Sequence, residues 1–209
     1  MTATPQPLRS DIEIYCNCMA EIRDRLSLVQ TIGAGLLHLG DHVFNQELVF
    51  LQLRKTLELI AFGSLTANKV KYSAAHANFA THWNAKRMLD DLEKVNPDFY
   101  PMALDPPVET QPGFKHFPDA AGGFMTKEDF VFLYDVCSKF IHTRNPFTTE
   151  DPMIRLRHNL KDSVARIQRL LAWHLVHLVG GDKWVVNIPN EGQVKAWAAS
   201  PTVIVQTSI

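Results

Sequence analysis

A row of polar side chains suited to acid–base chemistry lies on one predicted helix, residues 126 to 146. The row contains three residues spaced four apart: Tyr134, Ser138 and His142. This spacing places them on one face of a helix, and Arg144 and Asn145 follow near its end. An imidazole exchanges protons near neutral pH, and a guanidinium binds a phosphate through two parallel hydrogen bonds. The pattern therefore suits proton transfer beside a phosphate.

A second predicted helix carries, within its stretch from residue 46 to 65, two charged groups, Arg54 and Glu58, inside an otherwise apolar run. Polar groups on an apolar helix need partners, so two interpretations are open. The pair lies on an exposed strip, or it is buried and reaches Tyr134 and His142 on the other helix. In the buried arrangement these groups form either a reaction site or a structural network that fixes how the helices pack.

A reaction site would give each of these groups a role. His142 would transfer the proton, and Arg144 would hold the phosphate. Tyr134 and Glu58 would orient these two groups. The remaining polar residues expected to bind an anion are Arg54, Asn145, Arg155, Arg157 and His158. We expect neither a metal nor another cofactor in this chemistry.

The composition argues against a global attraction to nucleic acid or lipid. The chain has 21 Lys and Arg against 22 Asp and Glu, so a nucleic-acid site would have to be a local patch. The 3 cysteines form neither a disulfide framework nor a paired metal site, which favours a reducing cytoplasm. The 9 histidines lack the spacing of a metal motif. Neither a signal peptide nor a run of about 18 apolar residues is present, so we expect no membrane partner.

The apolar periodicity predicts a mainly α fold, a helical bundle of about five main helices with a small C-terminal antiparallel β meander. We expect one domain over residues 1 to 209, with a flexible arm at 1 to 9. The bundle occupies residues 10 to 179, and the meander occupies 182 to 207. Within the bundle, residues 97 to 125 are rich in proline and predict a long irregular crossover without strands.

The individual elements begin and end at recognisable signals. A capping box of Ser10 and Glu13 opens the first helix, and a last long helix is expected from about residue 151 to the Gly180-Gly181 pair. Helices between these two are expected at residues 43 to 68, 73 to 95 and 126 to 146, and Thr126 with Asp129 three residues later forms the cap that opens the last of them. The meander is expected to contain strands at 184 to 188, 193 to 198 and 202 to 206.

The pairing of an LRKTLE helix at residues 53 to 58 with a YDVCSKFIH helix at 134 to 142 resembles the HEPN family (higher eukaryotes and prokaryotes nucleotide-binding). The resemblance covers residues 10 to 179 and leaves the meander outside. It implies a homodimeric helical bundle that binds RNA or a nucleotide. Members with ribonuclease activity use an Arg-x(4–6)-His motif, which implies a metal-independent ribonuclease of a defence or stress system.

The chain departs from the family pattern at this motif. The matching spacing on a predicted helix is Arg169 to His174, where Leu170 replaces the usual polar residue and five positions separate the two side chains by about 140°. His142 has Arg144 after it, which is the reverse order. Two hypotheses follow. The chain is a HEPN-like protein that binds RNA or a nucleotide, or it is a non-enzymatic dimeric interaction protein that binds a peptide or a small apolar ligand.

Overall fold

A computed structural model of the chain describes residues 10–75, 84–142, 147 and 156–199. The helices in these residues are α1 (Asp11–Gly33), α2 (His42–Ala67), α3 (Lys69–Ala75), α4 (Ala85–Val95), α5 (Lys127–Ile141) and α6 (Leu160–Leu171). The strands are β1 (Met102–Ala103), β2 (Val108–Gln111), β3 (Phe114–His116), β4 (Trp173–His177), β5 (Lys183–Asn187) and β6 (Lys195–Ala199). The predicted class, largely helical with an antiparallel sheet towards the C-terminus, is confirmed. Across the described ranges, none of the helices is long and apolar enough to cross a membrane.

The two longest helices form a hairpin at the centre of the fold. α1 begins at the predicted capping box, in which Ser10 Oγ accepts the amide of Glu13 and the Glu13 carboxylate accepts the amide of Ser10. The apolar positions of α1 recur three or four residues apart and are buried: Tyr15, Met19, Ile22, Leu26, Val29 and Ile32. α2 approaches so closely at Gly63 that a β-carbon there would lie 2.9 Å from Met19 Cε. A larger residue at this position would have to displace that side chain.

The range predicted as a single third helix, residues 73–95, contains parts of two helices. α3 ends at Ala75, and α4 begins after Asn84. Asn84 has extended backbone angles (φ −82°, ψ 105°), and its side chain accepts an amide of the first turn of α4. An N-cap at this position starts a new helix, so the prediction of one continuous helix is wrong. Residues 76–83 lie outside the described part of the chain.

The last predicted helix, from residue 151 to Gly180-Gly181, is wrong near its start and in its second half. Residues 156–159 are not helical, because α6 begins after an extended N-cap at Asn159. α6 ends early, and residues 173–177 form strand β4. Every second side chain of β4, His174 and Val176, is buried, and the strand pairs in register with β5 along its whole length. The glycine pair, with φ of 110° and 97°, forms the turn between these two strands.

β4 lies inside a four-stranded antiparallel sheet with the strand order β1-β4-β5-β6. β1 comes from residues 97–125, which also hold the β2–β3 hairpin, so the prediction of a crossover without strands is wrong. β1 is compatible with the surrounding prolines because it is only 2 residues long and lies at the sheet edge. The predicted strands at 184–188 and 193–198 correspond to β5 and β6, whereas 202–206 lies outside the described residues.

One buried hydrogen bond joins the sheet to the helices. Tyr15 of α1 and His174 of β4 are fully buried, and Tyr15 Oη lies 2.8 Å from His174 Nε2. The other ring nitrogen, Nδ1, lies 2.9 Å from the carbonyl oxygen of Leu171 at the end of α6. Since a carbonyl oxygen only accepts, Nδ1 carries the proton and Nε2 accepts from the tyrosine. Trp184 of β5 packs edge-on against the same tyrosine ring, with 5.7 Å between the ring centroids.

Acid is expected to weaken the fold through His174. Burial lowers its pKa from 6.5 to about 4, so the folded protein keeps the ring neutral while the unfolded chain binds a proton. The resulting loss of stability begins as the pH falls through the unfolded-state pKa, and it reaches up to about 3 kcal/mol at the folded-state pKa. The free energy of unfolding, measured by urea denaturation, should therefore fall less steeply with decreasing pH in His174→Leu than in the wild type. Parallel pH profiles for the two proteins would contradict this assignment.

Candidate functional site

The polar groups predicted on α2 and α5 meet where these helices pack together. Arg54 Nε donates to Glu58 Oε1 at 2.9 Å, one turn along α2. The same guanidinium crosses to α5, where it donates to Tyr134 Oη at 2.5 Å and also to Ser138 Oγ. Its central carbon lies 3.7 Å from the centroid of the Tyr134 ring. These four residues, here called the Arg54 cluster, have the buried arrangement that was one of the two interpretations of the sequence.

The Arg54 cluster is closed around its cation. Each guanidinium nitrogen of Arg54 has an acceptor inside the cluster, and only 11% of the side chain is exposed. Tyr134 Oη also accepts the amide of Ala85 at 3.3 Å, which connects the start of α4. Burial raises the pKa of Tyr134, so the phenol stays protonated at neutral pH. The cluster therefore has the properties of a structural network that joins α2, α4 and α5.

His142 lies outside the Arg54 cluster. α5 ends at Ile141, before the predicted stop at Pro146, and His142 follows as an exposed C-cap with extended backbone angles (φ −91°, ψ 139°). Because a residue that leaves the helix no longer shares its face, the predicted row of polar side chains ends at Ser138. Within the described ranges, no hydrogen bond or ion pair joins His142 to the cluster. Three further predicted site residues lie outside those ranges: Arg144, Asn145 and Arg155.

The two remaining basic residues predicted to bind an anion face a carboxylate of the protein. Arg157 Nη1 lies 3.6 Å from Asp129 Oδ1, and His158 Nε2 lies 3.5 Å from Asp129 Oδ2. Arg166 Nη1 makes a third contact with this carboxylate at 3.9 Å. The side chain of Asp129 is only 13% exposed, and the three basic groups lie around its carboxylate. The capping pattern of Thr126 and Asp129 was the sequence signal here, and it indicates none of these ionic contacts.

The Arg169 to His174 spacing does not bring these two side chains into one site. α6 ends between them, and His174 is fully buried beside Tyr15. Arg169 instead forms an ion pair with Asp105 and donates to the carbonyl oxygen of Leu104. The two residues therefore make separate packing contacts.

The thiols are not poised for nucleophilic chemistry. Cys16, Cys18 and Cys137 are all free. Burial raises the pKa of Cys18 to about 11 and that of Cys137 to about 12, so neither ionises at neutral pH. In the part of the chain that the structure describes, no group of three or more His, Cys, Asp or Glu side chains is placed to hold a metal ion.

A surface of another kind lies at the turn between α1 and α2. Five large apolar side chains there stay exposed and are here called the apolar tip: Leu36, Leu37, Leu39, Val43 and Phe44. A groove of about 490 Å³ with mostly apolar walls begins at Gly33 and Ala34, directly before the tip. This surface was not predicted from the sequence. Its signal was a leucine-rich segment between Gly35 and Gly40, two glycines whose positive φ (72° and 90°) interrupts the helices.

Loss of the Arg54 cluster is expected to cost stability. Arg54→Met keeps an apolar stem and removes the guanidinium, which leaves the partly buried Glu58 without its partner. We expect the free energy of unfolding to fall by about 2 to 4 kcal/mol, because hydrogen bonds to a charged group contribute about 1.5 to 3 kcal/mol each. Lys55→Met, at the next and exposed position of α2, is the matched control, with an expected change below about 0.5 kcal/mol. Urea denaturation measures both, and strictly additive losses in a double-mutant cycle with Tyr134→Phe would contradict the contact.

Comparison of the chain with protein-family models, with curated proteins and with solved structures found no match. The HEPN-like resemblance therefore stays a prediction that rests on the patterns at residues 53–58 and 134–142.

Proposed function

We propose that the chain is a non-enzymatic, cytoplasmic interaction protein that forms a homodimer through the apolar tip. The observation that carries this proposal is the exposure of five neighbouring large apolar side chains, with Leu36 80% and Phe44 57% exposed. Apolar surface of this kind is unfavourable in water and typically marks a site that a partner covers. The three free cysteines support the cytoplasmic location.

The charge around the tip favours a second copy of the chain as the partner. Residues 31–46 contain one carboxylate, Asp41, and neither lysine nor arginine. Asp41 caps the N-terminus of α2, since its Oδ1 accepts the amide of Val43 at 2.7 Å, and the helix dipole offsets part of its charge. Two tips can therefore meet across a symmetry axis without strong like-charge repulsion.

A surface that can receive apolar side chains lies beside the tip. The groove at Gly33 and Ala34 has apolar walls and a volume of about 490 Å³, which leaves room for a large side chain such as Phe44 of a second copy. A further apolar surface lies on α2, where Phe44, Leu48 and Leu51 lie at i, i+4 and i+7 and share one helix face. Both ends of that stripe, Phe44 and Leu51, are exposed. In a dimer, the apolar tip and the face formed by Phe44, Leu48 and Leu51 would supply side chains that project, and the groove would receive them.

The partners of the predicted site residues support a non-enzymatic function. The Arg54 guanidinium is engaged by side chains of its own cluster, and Asp129 engages Arg157 and His158. Because all three of its guanidinium nitrogens have partners, Arg54 must break contacts inside the protein before it can bind a substrate. A structural function for them requires no such rearrangement.

Polar substitutions in the apolar tip are expected to convert the dimer into a monomer. Leu36→Ser combined with Phe44→Ser removes two of the exposed apolar groups whose burial would drive association. Sedimentation velocity at micromolar concentrations should show a dimer for the wild type and a monomer for the double variant. Val70→Ser is the matched control, because Val70 is 80% exposed on α3, away from the tip in the chain, and should leave the dimer intact. A wild-type protein that stays monomeric at all of these concentrations would overturn the proposal.

A second candidate function is binding of RNA or a nucleotide, with metal-independent cleavage of RNA. One observation favours it: His142 is exposed at the end of α5, where a substrate can reach the imidazole. Arg144 and Asn145 follow in the sequence and would supply a phosphate-binding guanidinium and an amide. In this candidate, His142 transfers the proton without help from the Arg54 cluster.

Cleavage of mixed-sequence RNA in the presence of a chelator tests this second candidate. We expect an active wild-type protein to lose activity by about 100-fold or more in His142→Ala, the usual contribution of a general acid or base. His38→Ala, at another exposed histidine, is the control for nonspecific effects. Equally intact RNA with the wild type and with His142→Ala would exclude the ribonuclease.

A further inference from the structure

The four-stranded sheet has two chemically different faces. Its inner face is buried against the helices through four side chains: His174, Val176, Trp184 and Val186. The alternate side chains of β4, β5 and β6 point to the opposite side, here called the outer sheet face. That face includes Trp173, Lys183, Val185, Lys195 and Trp197.

Aromatic rings form a row along the outer sheet face. The planes of Trp173 and Trp197 differ by only 9°, with their centroids 6.0 Å apart, and Phe117 lies 5.5 Å from Trp173. Trp197 belongs to the edge strand β6 and is 47% exposed. An exposed indole that a neighbouring ring holds in place offers a flat surface on which another planar ring can stack.

Two lysines lie on either side of the exposed indole. Lys195 precedes Trp197 by two residues on β6, and Lys183 precedes Val185, the residue paired with Trp197, by two residues on β5. Because these strands are antiparallel, the two lysines lie on opposite sides of Trp197 along the strand direction. Residues two apart on one strand, such as Lys195 and Trp197, are about 7 Å apart. Both lysines are exposed, and within the described residues neither forms an ion pair. The outward positions of β4, β5 and β6 contain no carboxylate.

Two ionisable groups border this face. Glu13 of α1 lines a cleft with Lys195 and Trp197, where its carboxylate accepts the amide of Ser10 at 2.8 Å and offsets part of the charge of Lys195. At the other side of the face, burial and the charge of Lys183 lower the pKa of His177, although Asp98 acts in the opposite direction. His177 is therefore mainly neutral at physiological pH, and the lysines are the groups that can attract an anion.

We propose that the outer sheet face binds single-stranded nucleic acid, with a base stacked on Trp197 and the backbone phosphates held by Lys183 and Lys195. An oriented ring between two cations matches a strand whose planar bases alternate with anionic phosphates. Stacking and phosphate contacts tolerate different sequences, so we expect little preference among bases. In a duplex the bases are stacked on each other, so their faces cannot reach Trp197. The site shares no residue with the apolar tip and does not depend on the dimer proposed above.

Fluorescence anisotropy of a short labelled oligo(U) with the full chain tests this proposal. We expect Trp197→Ala to weaken binding by about 5- to 100-fold, as for one lost base–aromatic stack, and Trp197→Phe to retain most of the affinity. Lys195→Gln is expected to reduce the slope of log K against log salt by about 0.7, the contribution of one phosphate contact to a single strand. Thermal melts followed by circular dichroism verify that the variants fold, which the exposure of both side chains favours.

Two variants away from the outer sheet face are the matched controls and should bind as the wild type does. Phe114→Ala removes an exposed ring from the separate β2–β3 hairpin, and Lys55→Gln removes an exposed charge from α2. The proposal fails if the wild type does not bind oligo(U) at low salt, or if a duplex competes equally well. It also fails if folded Trp197→Ala binds like the wild type. A change of oligomeric state in Trp197→Ala, without any binding of nucleic acid, would instead identify the face as a protein interface.

Discussion

The hydrogen bond between Tyr15 and the neutral ring of His174 is the interaction on which the arrangement of helices and sheet depends. It lies where α1, the end of α6 and strand β4 meet, and both side chains are fully buried. Apolar contacts at this boundary would tolerate sliding, whereas an imidazole with two directional partners is satisfied in one arrangement only. The sheet is therefore an integral part of the core, although the sequence had suggested an appendage outside the helical bundle.

Local signals in the sequence were enough to predict much of the helical part. The caps at Ser10 and Thr126 and the three-and-four spacing of apolar residues correctly located α1, α2 and the start of α5. The contact between Arg54 and Tyr134 matches one of the two interpretations that the sequence left open, the one in which polar groups on apolar helices satisfy one another, although His142 does not take part in it. These predictions succeeded because each depends on residues within one helix, or on a pairing with few alternatives.

Features decided by distant parts of the chain could not be predicted in this way. The WHLVH segment of β4 is compatible with a helical period and with alternation, and its pairing with β5 selects the strand. The short β1 forms only because β4 offers it an edge. The position of His142 depended on where α5 ends, and a proline a few residues later marks a helix end only approximately. A shift of one turn there separates an exposed imidazole from the cluster it was expected to join.

The positive charge of the Arg54 cluster is mostly buried, whereas the positive charges of the outer sheet face are exposed to solvent. The Arg54 guanidinium is 11% exposed, and dissolved ions screen it weakly, whereas Lys183 and Lys195 lie at the surface within reach of counterions. Ionic strength therefore acts on the two features separately. Moderate salt leaves the electrostatic contacts between α2 and α5 almost unchanged while it competes with any polyanion at the sheet. A change in salt concentration can therefore alter the binding of an anion at the sheet without weakening the contacts between α2 and α5.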